Sequence, residues 1–272
     1  MPINPLGQDI KFPTTYDPEI LYPIPRWAVR SLLDIDKKLP IYGFDHWHAF
    51  ELSWLNSSGK PQVAIGEIFF DSKSENIVES KSLKLYLNSL NQKQFSTRDQ
   101  FSELVAKDLS ELTHSEVKVV VRSLDDTTLD VTQAPCGYSI DGIDQDISVF
   151  LPDPDLLVLE GAVVKQEQLY SNLFKSNCPM TGQPDWATFK ISYSGQKIAQ
   201  GSLLAYICSY RSHQGYHEEC AERIYRDIML HCQPDELLIS LSFLRRGGLD
   251  INCYRSCSPL KSENLTSRLV RQ

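Results

Sequence analysis

Ser176–Trp186 reads SNCPMTGQPDW and sets a thiol, Cys178, ahead of a carboxylate, Asp185, in a stretch broken by Pro179, Gly182 and Pro184. A thiolate attacks electrophilic carbon, and a protonated acid hands its proton to the atom that gains charge. A carboxylate beside a thiol opposes thiolate formation, so Asp185 suits proton donation better than thiol activation. Pro179 halts regular structure, and a loop on a rigid scaffold is where such groups become reachable. Taken alone, Cys178 reads equally as a small buried hydrophobe and Asp185 as a turn residue.

Further stretches pair charge with backbone. ESKSLKLY, Glu79–Tyr86, opens a helix after a β run. The free N–H groups there and the charge of Lys81 suit an anion. RRGG, Arg245–Gly248, closes a strand with two cations beside permissive backbone, which fits a phosphate contact. His217 and Glu218 in SHQGYHEEC sit at a helix start, where capping and surface charge are the ordinary roles. His46 and His48 in HWH share a strand face, but no carboxylate or cysteine stands at an evident ligand spacing. There is no C-x-x-C and CYRSC has no partner pair, so no metal is demanded. G-x-G-x-x-G is absent, which removes support for a Rossmann cofactor site.

The elements that must position these groups follow from periodicity. The first forty residues are rich in proline and read as a lead-in arm. HWHAFELSWLN and PQVAIGEIFFD flank the turn-like SSGK and predict a hairpin. Leu83, Leu87 and Leu90 have helical spacing, and STRDQFSELVAKDLSEL predicts a second helix capped by Ser96 or Thr97. EVKVVVRSL closes the first half as a strand. Asp125–Pro154 is polar and interrupted and reads as the connection. LLVLEGAVVKQEQLYSN and ATFKISYSG predict strands on either side of the cysteine loop. IAQGSLLAYICSYRS and HEECAERIYRDIMLHC predict helices, and LLISLSFLRRGGLDINCYR a returning strand. Both halves place two helices between β segments without clear sequence repetition, so the economical fold is a duplicated α+β unit with antiparallel sheets.

The composition is that of a globular chain, with 42% apolar and 23% charged residues in 272. The net charge of −8, from 27 Lys and Arg against 35 Asp and Glu, argues against a general grip on nucleic acid. The N-terminus lacks the pattern of a signal peptide and no apolar run suits a membrane helix, so a cytoplasmic protein is expected. Seven cysteines, an odd number, point to free thiols.

ESKSLKLY, SNCPMTGQPDW, HEECAERI and RRGGLDIN occur in the order and at the spacings of the long form of the QueF family, the NADPH-dependent 7-cyano-7-deazaguanine reductases. ELSWLNSSGKPQVAIGE and the final RLVRQ look similar too, so the chain resembles that family over nearly its whole length. The resemblance implies an α+β tunnelling fold (T-fold) in two tandem modules, residues 1–150 with the arm and ESKSLKLY, and residues 151–272 with the nucleophile. It implies that Cys178 is the nucleophile and Asp185 the proton donor. Val78, Glu79, Ser80, His217 and Glu218 would hold the deazaguanine base, and Ser80, Lys81, Arg246 and Gly247 would contact NADPH, in a site formed between the halves and without metal. The implied reaction takes a nitrile to a primary amine through a covalent thioimide, with two NADPH per product, in queuosine biosynthesis, a tRNA-modification pathway. A cytoplasmic homodimer acting on a small molecule is implied, with no direct nucleic-acid or membrane partner. Other readings are a zinc-dependent purine- or pterin-handling hydrolase of the same fold, a purine-binding protein without catalysis, and an assembly protein with Cys178 as filler.

Overall fold

The computed structural model describes residues 12–33, 39–126, 132–260 and 268–272. Residues 1–11 and 34–38 of the expected arm, and 127–131 of the expected connection, lie outside the described residues. In chain order the elements are β1 (Pro23–Pro25), α1 (Arg26–Leu33), β2 (Tyr42–Leu55), β3 (Pro61–Asp71), β4 (Asn76–Val78), α2 (Ser80–Ser89), α3 (Arg98–Thr113) and β5 (Val117–Arg122). There follow β6 (Tyr138–Ser139), β7 (Leu159–Ser171), β8 (Lys175–Asn177), β9 (Pro184–Ile198), α4 (Gln200–Cys208), α5 (His217–His231), β10 (Glu236–Phe243) and β11 (Leu249–Ser256). The fold is mixed α+β, and its ladders are antiparallel apart from the short β6–β7 pair. The stretch expected as an arm carries a short strand and a helix, β1 and α1.

The chain forms two compact units, Met1–Ala28 with Asp45–Val131 and Arg245–Ile251, and Val29–Phe44 with Thr132–Leu244 and Asn252–Gln272. They divide near residue 131, whereas the sequence suggests 150, and short segments from each end of the chain join the unit rich in the other half.

In the first unit the β2–β3 hairpin turns at Asn56–Lys60, where the Asn56 amide donates to the Lys60 carbonyl at 2.9 Å and Gly59 takes φ +80°. β3 continues into β5 from Ile65↔Arg122 to Phe70↔Val117. Alternation along β2 sends Trp47 and Ala49 to the core, where Ile68, Phe70, Leu83, Tyr86, Phe101, Val105 and Leu109 are also buried. His46 and His48 share the other face. Thr97 caps α3 by accepting the Gln100 amide, and the left-handed His114 ends it.

In the second unit β9 is the central strand. β10 pairs with it from Glu236↔Ser194 to Phe243↔Ala187, and β7 pairs on its other edge with two register shifts. The segment LLISLSFLRRGGLDINCYR, expected as one strand, is two, β10 and β11. In the segment between them, which belongs to the first unit, Gly247 and Gly248 take φ +52° and +75°, and the Arg246 and Leu249 amides and carbonyls bond reciprocally across them. Two consecutive positive φ values define a tight hairpin turn that Gly-Gly adopts without steric cost.

The two units repeat one another in detail. In the first, the Tyr22 amide donates to the Ser82 hydroxyl, Ser82 donates to the Glu79 carbonyl, and Tyr86 donates to Asp108. In the second, Val158 donates to Ser202, Ser202 to Ala199, and Tyr206 to Asp227. Each of these chains begins after a one-turn 3-10 helix, Pro18–Ile20 or Pro154–Leu156, capped by an aspartate. The duplication that the element order suggests is thus carried by a handful of hydrogen-bonding residues.

Candidate active site

The cysteine loop is the end of a β-hairpin. β8 pairs with β9 through Lys175↔Trp186, Ser176↔Asp185 and Asn177↔Pro184. The Cys178 amide donates to the Gln183 carbonyl at 2.9 Å, and the Gly182 amide returns to the Cys178 carbonyl at 3.0 Å. The ladder therefore extends one step past Asn177. Cys178 directly follows β8 at the turn of the hairpin, and Asp185 lies directly across from Ser176 on the facing strand. Asp185 belongs to β9 rather than to the turn and is buried, while Cys178 is half-buried.

Asn177, unremarked in the sequence, pins the loop. Its amide donates to the His213 carbonyl at 2.8 Å, its side-chain amide donates to the same carbonyl at 3.2 Å, and its own carbonyl accepts from Gly215 at 3.1 Å. Lys175 Nζ donates to Asn177 Oδ1 at 2.7 Å and to the Arg211 carbonyl at 2.8 Å. Partial burial, and then the nearby Arg211 charge, push the Lys175 ammonium below the usual lysine range.

His217 and Glu218 open α5, as expected. His217 Nε2 lies 3.5 Å from Asp185 Oδ1, and its ring stands edge-on to Phe243 at 4.1 Å between centroids. The hairpin and this helix start thus bring Cys178, Asp185 and His217 into one neighbourhood, with Glu218 buried next along the helix. Glu219, which the sequence does not single out, is held by His213 Nε2 at 2.8 Å and by Arg223 at 2.7 Å. Burial pushes the adjacent Cys220 thiol well above the usual range, and the Glu219 charge adds to the effect.

In the first unit Val78 ends β4 and Glu79 caps α2. The two Glu79 carboxylate oxygens accept the Lys81 and Ser82 amides, each at 2.8 Å. The helix N-terminus expected to be open to an anion is therefore already met by a carboxylate of its own chain. Each oxygen keeps acceptor capacity for a further N–H. Val78 and Glu79 are buried, and Ser80 and Lys81 are partly exposed.

Lys81 and Gly247 line one cavity of about 460 Å³, together with Lys84, Glu51, Asn88 and Gly248. A β-carbon on Gly247 would come 3.2 Å from the Lys84 side chain, so the bare backbone keeps this cradle open. Arg246 supplies the turn backbone beside it, and Ser80 precedes Lys81 on the helix; neither lines the cavity. Arg245 lies over the Phe50 ring at 4.4 Å. Lys84 carries no distinctive spacing beyond its place in ESKSLKLY, and Glu51 none, which is why sequence reasoning passes over both.

Residues 12–121 match the family described as "Nitrile reductase, 7-cyano-7-deazaguanine-reductase N-term", and residues 184–261 match the one described as "QueF-like protein". A protein of Desulfotalea psychrophila named NADPH-dependent 7-cyano-7-deazaguanine reductase is 46% identical, over 98% of this chain and 97% of its own. Proteins of the same name from Teredinibacter turnerae, 46% identical over 98% of this chain and 97% of their own length, and from Coxiella burnetii, 45% identical over 93% and 91%, are similar to it as well. Identity of this degree along nearly the full length of both partners means that the chain belongs to the family of NADPH-dependent 7-cyano-7-deazaguanine reductases.

Proposed function

We propose that this enzyme reduces the nitrile of 7-cyano-7-deazaguanine to the primary amine of 7-aminomethyl-7-deazaguanine, through a covalent thioimide on Cys178 and with two NADPH per product, as a step of queuosine biosynthesis. The observation that supports the reading most is the β8–β9 hairpin, with a half-buried thiol at its turn and a buried acid on its facing strand. The Cys178 sulfur adds to the nitrile carbon while Asp185 passes a proton to the nitrogen. His217, 3.5 Å from Asp185, holds that carboxyl in place. Cys178 departs once the bound carbon is reduced, and the resulting imine has to be kept from water until the second hydride arrives. For base recognition the buried carboxylates Glu79 and Glu218 are the acceptors proposed for the N–H donors of the guanine-like edge, and Val78, Ser80 and His217 are the further contacts proposed.

NADPH, when bound, supplies the two hydrides. The cavity beside Gly247 fits such a group, since two lysines face a stretch of backbone with no β-carbon to obstruct a phosphate. Lys81 and Lys84 would take its phosphate charges, with Ser80, Arg246 and Gly247 as further contacts.

The units are read as two T-fold modules, on the strength of their shared order and repeated hydrogen bonds, and the working form as a cytoplasmic homodimer. Along Leu159–Gln168, β7 pairs only with β9 among the described residues, which leaves an open strand edge with exposed Val163 that a second chain can cover. All seven cysteines are free thiols, as a reducing compartment requires. The test is NADPH consumption with the nitrile, alongside Cys178→Ala and intact-protein mass. Two NADPH per nitrile and a mass adduct that the variant lacks support the mechanism. No consumption by well-folded wild-type protein overturns it.

A further inference from the structure

We infer that the first unit holds a divalent transition-metal site, of the kind zinc occupies, built from His46, His48 and Glu67 and separate from the cysteine hairpin. One ligand atom from each of the three lies within 4.8 Å of the others, and all three residues are buried. Two imidazoles and a carboxylate form a donor set suited to a borderline ion such as zinc, with a fourth position left for water.

The geometry beneath these side chains is what a metal needs. His46 Nε2 and Glu67 Oε2 are 3.2 Å apart. Ligand atoms around a tetrahedral zinc, with bonds of about 2.0–2.2 Å, stand at roughly 3.3–3.5 Å, so the pair is nearly spaced for one ion. His48 Nδ1 lies 2.6 Å from Asp250 Oδ1. That contact fixes the tautomer with the proton on Nδ1 and leaves Nε2 as the ligand, the carboxylate–histidine–metal arrangement. Arg122 engages Oε1 of Glu67 and so orients the carboxylate. His46 stacks on Phe69 with centroids 4.2 Å apart and planes within 5°, which locks its ring.

The sequence offers only HWH on one strand. Glu67 comes from β3 and Asp250 from the start of β11, so no linear spacing reveals the cluster. An ion there would tie β2 to β3 and, through Asp250, to the segment that follows the Gly247–Gly248 turn.

The experiment uses the full chain, stripped with a chelator and titrated with zinc against a chromophoric competitor, and in parallel with cobalt(II) read by visible absorption. The expected result is one tight equivalent, a raised melting temperature, and a tetrahedral cobalt spectrum free of thiolate charge-transfer bands. Affinity should fall at least tenfold in His46→Phe and Glu67→Gln and persist in Cys178→Ala. Absence of binding to the wild type, undiminished binding in both variants, or a thiolate band in the cobalt spectrum would each overturn the site. The wild-type spectrum decides the matter even if a variant fails to fold. Retention in Cys178→Ala keeps this outcome distinct from any failure of the reductase reading.

Discussion

Asn177 grips the His213 carbonyl twice, through its backbone amide at 2.8 Å and its side-chain amide at 3.2 Å. The residue before the proposed nucleophile is thus fixed to the segment that leads into α5, and His217, four residues beyond His213, rides on the same segment. The thiol and the group beside Asp185 are positioned by one clamp.

Asn177→Ala should lower kcat by roughly tenfold while KM for the nitrile changes little, because misplacement of a reacting group is paid for in the rate. Steady-state kinetics with a melting curve checks this. An unchanged kcat would mean that the remaining backbone bonds suffice to hold Cys178.

Glu79 caps α2 as well as being the carboxylate proposed to bind the base. Glu79→Ala removes the acceptor of the Lys81 and Ser82 amides and should cost about 1 kcal/mol of stability, in addition to weakening nitrile binding at least tenfold. Glu79→Gln should recover part of the stability and little of the binding. Calorimetric titration and thermal melts on both variants separate the two roles, and equal binding in all three proteins would remove Glu79 from base recognition.

Gly247→Ala should raise KM for NADPH with kcat largely retained. The added methyl meets the Lys84 side chain at 3.2 Å, in a backbone conformation with φ +52° that alanine adopts at a cost. Arg246→Ala should raise the same constant without crowding the cavity. Kinetics at varied NADPH tests both, and an unaffected KM in the two variants would move the cofactor elsewhere.

Thiol reactivity should divide by burial. A brief pulse of iodoacetamide near pH 8 should modify Cys178 and the exposed Cys136, and spare Cys220, Cys232 and Cys253, which are buried. Burial pushes the Cys232 thiol up to about 11, so its contribution to stability is fully present below the ordinary thiol pKa and is lost as pH rises toward about 11. Peptide mapping reads the first claim. The second is read by the melting temperature between pH 9 and 11, where Cys232→Val should flatten part of the decline.

Much of this architecture is legible in the residues. The β2–β3 hairpin, the cap at Thr97 and the helix after Val78 follow from local pattern and turn chemistry, whereas the cysteine stretch, read as a loop, is the end of the β8–β9 hairpin. What escapes is decided by partners distant in sequence. Asp185 reads as a turn residue until Ser176 is seen across from it. The open N-terminus of α2 is closed by Glu79 folding back on its own helix. Gly247 and Gly248 look like flexible backbone at a strand end, yet their paired positive φ values make a hairpin. The carboxylates around His46 and His48 arrive from other strands, Glu67 from β3 and Asp250 from β11.

Where the first unit has Glu79 ahead of its serine and tyrosine, the second has Ala199, on the same scaffold of hydroxyls and amides. The hydrogen-bonded scaffold is present in both units, while the carboxylate proposed for base recognition stands in one. Ala199, Gln200 and Gly201 should tolerate exchange in a saturation library, whereas Glu79, Ser80 and Lys81 should not, and Tyr206 and Asp227 should stay as constrained as Tyr86 and Asp108.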